Sequence, residues 1–415
     1  MDRKPQSALL LMALTVFIDF AGFGLIVPLL PFWAERLGAN AVGVGLVLTS
    51  YALAQLLFTP LLGSLSDRYG RRPIIFASLL IEAATFALTA LAGSLPMLLL
   101  ARFIGGLGAS NVGSAQAVVA DVLPPEKRAR GMGLIGAAIG LGFVVGPAIG
   151  GALAPLGATL PFWVAMGVAL VNALLVLLLL PETRRSSIPA EAPATGRKSS
   201  LLFAGWQRAL RSPVVARLVA INLLFTMAFT AMETVFPLFS QHAYGWQAEQ
   251  NGYIFTYVGV IIVIMQGGLI GPLVKRWGER PLLIAGLVLL AAGLLLLPFG
   301  AQLAALLAAL GLLSAGNGAV SPTSSALLSL ASPAEAQGET LGVSQGIAGL
   351  GRIVGPLAAG SIYALGGPGA PFVAGGILVL VAALVALPAL PGVHRAAERT
   401  LEPEQAETAG ELITR

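Results

Sequence analysis

The chain has 415 residues, of which 57% are hydrophobic and only 10% charged, with a mean hydropathy of +0.88. Water-soluble domains run at about 45–50% apolar and about 25% charged, so a soluble fold this apolar could not cover its own surface, and the solvent for most of the chain is lipid. The absence of cysteine excludes disulfides, thiolate metal sites and cysteine nucleophiles, and the net charge of +5 follows membrane topology rather than nucleic acid, as the distribution of the charges shows.

A basic start (Arg3, Lys4) precedes a long apolar run that superficially resembles a signal peptide. The run carries Asp19 and lacks an obvious small-residue cleavage site, so it is expected to be retained as the first membrane helix. A membrane helix needs about 20 mostly apolar residues. Reading between charged or Pro/Gly-rich breaks gives spans at 8–31, 43–63, 74–93, 96–119, 131–154, 161–180, 214–239, 252–274, 281–300, 303–329, 338–362 and 370–390. The expected fold class is an all-α membrane protein of twelve transmembrane helices. Residues 1–180 form an N-terminal six-helix bundle, 181–213 a linker, 214–392 a C-terminal six-helix bundle and 393–415 a polar tail.

Lysine and arginine set the orientation. Arg3, Lys4, Arg68, Arg71, Arg72, Lys127, Arg128 and Arg130 fall on one side, together with the basic residues of the linker region and its edges, Lys275, Arg276, Arg280, Arg395, Arg399 and Arg415. Only Arg36 falls on the other side, and Arg102 and Arg352 lie inside spans. The positive-inside rule makes the rich side cytoplasmic, with both termini there.

The second half repeats the first. Residues 63–73 (GSLSDRYGRRP) and 271–281 (GPLVKRWGERP) agree at six of eleven positions, offset by 208. Residues 140–151 (GLGFVVGPAIGG) and 349–360 (GLGRIVGPLAAG) agree at seven of twelve, offset by 209, as are Pro28 and Pro237. Six spans separate the copies, so both keep one orientation. Such a parallel repeat forms a cleft between halves that rock about it.

Gly63 and Gly70 are expected to make tight turns, and Asp67, Arg68, Arg71 and Arg72 either form gate contacts or simply anchor topology. Gly142, Gly146 and Gly150 line one helix face for close packing, and Pro147 frees a carbonyl and bends the helix, as packing alone or as a hinge. Inside the spans the ionisable residues are Asp19, Glu82, Arg102, Glu233 and Arg352. Burying such groups costs at least about 2.5–3.5 kcal/mol each, which marks them as functional candidates. Asp19 lies about 16 Å and Glu82 about 12 Å along their helices. Asp19, Glu82, Arg102 and Glu233 are candidates for proton coupling. Pairing of Asp19 or Glu82 with Arg102, and of Glu233 with Arg352, as fixed salt bridges is the alternative. Gln116, Gln266, Asn317, Gln345 and Arg352 are candidates for the substrate cavity, while Asn172 and Asn222 suit interhelical hydrogen bonds. The two histidines, His242 and His394, are expected in loops, which leaves intramembrane proton chemistry to carboxylates.

These motifs resemble the drug:proton antiporter group of the major facilitator superfamily, most closely its tetracycline-efflux-like members, over nearly the whole chain. GSLSDRYGRRP resembles the loop motif between the second and third helices. Residues 102–121 (RFIGGLGASNVGSAQAVVAD) resemble the fourth-helix motif, 142–151 the fifth-helix antiporter motif and 18–31 (IDFAGFGLIVPLLP) the first helix of drug exporters. The resemblance implies that Asp67 locks the inner gate against the start of the eleventh helix and that Arg71 or Arg72 pairs with Asp121. It also implies that Arg102 couples proton to substrate and that Gln55 and Asn111 face the cavity. Unlike the tetracycline pumps it resembles, the chain has no ionisable residue at 281–300 and carries Phe86 where their third-helix acid aligns. The resemblance therefore implies proton-coupled efflux of small amphipathic drugs, tetracycline-like or broader, by a monomer in the inner (plasma) membrane. Its partners are a small-molecule substrate, protons and the lipid bilayer, with no nucleic acid and no cofactor. A metabolite importer or facilitator is the alternative, and a non-transporting receptor or scaffold a third. No phosphate-binding loop or metal-ligand cluster is present in the sequence, which points away from an enzyme.

Overall fold

The computed structural model describes residues 3–109, 111–183, 211–300, 302–333 and 336–387. Eleven helices among them are long and apolar enough to cross a membrane, and a shorter apolar helix, Ala370–Ala386, follows as the twelfth span. The others are Ala8–Ile26, Ala41–Tyr69, Arg71–Ala90, Leu95–Val122, Arg130–Leu156, Leu160–Leu179, Pro213–Tyr244, Ala248–Trp277, Glu279–Phe299, Leu303–Leu330 and Gln337–Gly366. Spans one and five, three and six, and two and four pack together in the first half. Spans seven and eleven, nine and ten, and nine and twelve pack together in the second. Spans two and eleven, and five and eight, join the halves. Most of the expected linker (184–210) and the expected tail with His394 lie outside the described residues.

The repeat is visible atom by atom. The motif expected as a loop is helical up to Tyr69, and the whole turn is Gly70, at φ 105°. Its counterpart Gly278, offset by 208, makes the same one-residue turn at φ 78°. Only glycine adopts this conformation without penalty. Gly63, expected in a turn, is instead inside a helix. Beyond each turn an arginine reaches across to the end of the last helix of its own half. Arg72 donates to the Leu177 carbonyl and Arg280 to the Leu387 carbonyl.

Glycines set the helix spacing, because lipid supplies no hydrophobic drive between helices and close backbone approach must do the work. A Cβ on Gly142 would stand 2.7 Å from Phe20 Cβ, and one on Gly146 would strike the Ala21 carbonyl of the first span. Offset by 209, Gly351 and Gly355 face Leu223, Met227 and Thr230 of the seventh span in the same way. Between the halves, a Cβ on Gly252 would lie 2.7 Å from the Pro147 carbonyl oxygen, and one on Gly45 would lie 2.5 Å from that of Pro356. Thr49 Oγ1 adds a 2.9 Å hydrogen bond to the Ile353 carbonyl across the second seam.

Both seams are tight only toward the face opposite the basic turns. Toward the basic face they part, and Gly63, Gly133, Gly136, Gly267, Gly271, Gly338 and Gly342 have open space where a Cβ would project. The molecule is therefore closed at one face and open at the basic one. Spans depart from sequence expectation at three points. The first helix stops at Ile26, because Pro28 cannot donate to the preceding turn, and a short helix, Leu30–Arg36, restarts the chain. Pro237, its repeat partner, stays inside a continuous helix that also contains His242, expected in a loop. In span eight a π-helical turn, Met265–Leu269, interrupts the α-helix where the seam begins to open.

Candidate functional site

Tertiary packing brings four of the five intramembrane charges, Asp19, Glu82, Arg102 and Arg352, within electrostatic reach of Tyr51 of span two, and Glu233 joins them through Arg352. Asp19 of span one and Glu82 of span three share a side-chain hydrogen bond. Two carboxyl groups can make that bond only if one carries a proton. Asn172 of span six donates from Nδ2 to Asp19 Oδ1 at 3.4 Å and to the Thr15 carbonyl at 3.3 Å, fixing the carboxyl from a third helix. Arg102 of span four is 2% exposed, and its guanidinium carbon stands 4.5 Å from the centroid of the Tyr51 ring. Its buried Nε has no hydrogen-bond partner. Arg102 is held near the carboxyls by field and by the ring rather than by a fixed salt bridge.

In the second half Glu233 of span seven feels the field of Arg352 of span eleven, and Arg352 in turn acts on Tyr51. Glu233 also lines a cavity of about 290 Å³ between spans one, five, seven, eight and ten. Phe143, Phe229 and Phe255 supply aromatic walls, and Gln266, Asn317 and Ser321 supply polar points. Gln266 stands on the π-helical turn. Such a lining, mostly apolar with few polar groups, is typical of small-molecule sites. Gln116, Gln345 and Arg352 are exposed, whereas Asn317 is 7% exposed. Gln55 donates to the Ala109 carbonyl at 3.3 Å, where span four changes from Leu95–Gly108 to Asn111–Val122. The side chain of Asn111 lies outside the described residues.

At the basic face Arg71 donates from Nε to Asp121 Oδ2 at 3.3 Å and meets Asp67 at 2.7 Å. Asp67 is 66% exposed on its side chain and bonds within its own turn, in keeping with the parted seam. Arg68 stands over the Tyr69 ring at 5.3 Å. Glu182 accepts from the backbone N–H of Arg71 (2.9 Å) and Arg72 (3.3 Å), capping span three at its positive end. At the closed face, Glu35 of the short helix bonds to Gln241 at the end of span seven. Burial pushes the Glu35 carboxyl above its ordinary value of 4.5, and the hydrogen bond from Gln241 partly offsets that.

A family model described as Major Facilitator Superfamily matches residues 12–270 and 267–412. The chain belongs to the major facilitator superfamily. Two relatives in that superfamily carry names for drug resistance. It is 31% identical to the class C tetracycline resistance protein of Escherichia coli over 95% of this chain and 98% of that one. It is 29% identical to multidrug resistance protein 2 of Bacillus subtilis (strain 168) over 69% of this chain and 72% of that one. Among solved structures, the human organic anion transporter MFSD10 (TETRAN) superposes with a TM-score of 0.71 at 27% identity, covering 93% of this chain and 100% of that one. The nucleoside transporter NupG shares the fold, with a TM-score of 0.74 at 13% identity over 92% of this chain and 99% of that one. This major facilitator protein is a multi-pass membrane transporter of a small molecule, not an enzyme.

Tyr51 is the functional candidate that sequence reasoning missed. An aromatic residue in an apolar span carries no signal of its own, and only the approach of Arg102 reveals it.

Proposed function

We propose that this transporter exports small amphipathic compounds, preferably cationic and aromatic, in exchange for protons. The hydrogen-bonded Asp19–Glu82 pair carries the proposal, because a carboxyl pair that shares a proton can exchange that proton when access switches. The phenylalanine-lined cavity with the carboxylate of Glu233 favours a cation over a neutral sugar. The names of the drug-resistance relatives point to efflux. The charge distribution supports a cytoplasmic basic face and cytoplasmic termini in an inner (plasma) membrane. Substrate then enters from the cytoplasm, and rocking of the halves delivers it outward. The parted helix end that carries Gly63 and Asp67 belongs to the gate that closes in the second state.

Everted membrane vesicles test the reading with ethidium as probe. Energised vesicles carrying the wild type should accumulate ethidium, collapse of the pH gradient should stop them, and Asp19→Asn should abolish accumulation. Accumulation that survives gradient collapse overturns proton coupling. Arg352, exposed near the cluster, favours a second reading in which organic anions are carried. Replacing ethidium with fluorescein in the same vesicles separates the two.

A further inference from the structure

We infer that Tyr51 is the positioning residue that keeps the Arg102 guanidinium off the Asp19–Glu82 carboxyl pair, so that the pair can hold its proton. The inference rests on the proton-coupled reading above and names the residue that tunes it.

Arg102 is buried, always cationic, and in reach of the field of Glu82. A guanidinium with a free buried N–H next to carboxyls would ordinarily swing to them, since leaving a buried donor unpaired costs about 1–3 kcal/mol. Here the Nε donor stays unpaired and the guanidinium lies 4.5 Å over the Tyr51 ring instead. A ring face attracts a desolvated cation strongly enough to compete. Neighbouring packing holds that ring. Phe23 stacks at 5.5 Å between centroids. Gly105 passes beneath the ring, where a Cβ would stand 3.5 Å from Tyr51 Cδ2. Gly106 lets span four approach the Tyr51 carbonyl more closely than any Cβ would allow.

The charged and titratable groups that act on Tyr51 come from four helices. They are Asp19 on span one, Glu82 on span three, Arg102 on span four and Arg352 on span eleven. Asn172 of span six also bonds to Asp19. Span two is itself one of the helices that join the halves. Tyr51 therefore stands where the protonation of the first half can be felt by the cation of the second. With the pair protonated, Arg102 stays on the ring. With the proton gone, the guanidinium is drawn to the carboxylates.

Infrared titration of purified protein reads the protonated-carboxyl stretching band without any substrate, so it does not depend on ethidium being carried, and the part of the band lost in Asp19→Asn isolates the pair among the 19 acidic residues. Tyr51→Leu should move the titration midpoint to lower pH by about one unit, a tenfold loss of proton affinity, because the freed guanidinium stabilises the carboxylates. Tyr51→Phe, which keeps the ring face, should titrate within about a third of a unit of the wild type. In an Arg102→Gln background the same Tyr51→Leu change should have no effect on the midpoint, whereas simple entry of water would shift it equally in both backgrounds. If Tyr51→Leu fails to fold, Tyr51→Met fills the space without a π face and serves in its place. An unmoved midpoint in Tyr51→Leu, an equal shift in Tyr51→Phe, or a shift that persists without Arg102 overturns the inference. If Asp19→Asn and Glu82→Gln remove no part of the titrating carboxyl band of the wild type, the proton-coupled reading fails instead.

Discussion

Glu35 and Glu182 show how single carboxylates at the two faces are put to different uses. Burial raises the Glu35 pKa in the closed arrangement, so its contribution to that arrangement is fully present at and below the ordinary value of 4.5 and fades as pH rises through the raised one. Glu35→Gln removes this dependence. Thermal unfolding of the wild type should lose ground against Glu35→Gln as pH rises above the ordinary carboxyl value of 4.5, and parallel curves would contradict the assignment. Glu182→Ala deprives two N–H groups of their acceptor and should lower stability by about 1 kcal/mol, read as a drop in unfolding temperature. The sequence made the intramembrane charges legible because each is anomalous in an apolar run. It did not make Tyr51 or Glu182 legible, since neither is anomalous where it stands and each acquires meaning only from residues distant in the chain.

At the scale of helices, glycine and proline decide geometry. Gly146→Ala forces a methyl group into the Ala21 carbonyl and the Leu25 N–H, both backbone, and should cost about 1–3 kcal/mol of stability. Gly63→Ala, inside a helix, meets nothing within 4 Å and should hold or slightly raise the unfolding temperature. Comparable losses at the two positions would show that the open seam is not open. Helix number and the repeat were legible from hydropathy and from the 208–209 offset. Helix continuity through Asp67 and Arg68 was not, because a charged, glycine-punctuated stretch looks like a loop until the helix is seen to run beyond the apolar segment. The fates of Pro28 and Pro237 also diverge despite identical repeat positions, since local packing decides whether a proline bends a helix or ends it.

The whole molecule joins two similar bundles through two seams that are shut at one face and parted at the other. The shut ends are held by Gly45 against Pro356 and by Gly252 against Pro147. The chain contains no cysteine, so spin labels placed at Gly63 and Gly342 report on a clean background. Their separation should shorten in a second state populated at another pH or with ethidium, while labels near Ala41 and Gly360 move apart. A single fixed distance at both faces would exclude alternating access.

The most direct measurement is proton release on substrate binding. Ethidium added to purified protein in weakly buffered solution near neutral pH should acidify the medium in proportion to binding for the wild type. Asp19→Asn and Glu82→Gln should bind with little or no release. Binding by the wild type with no acidification, or undiminished acidification by both variants, would contradict the view that substrate and proton are linked through this carboxyl pair.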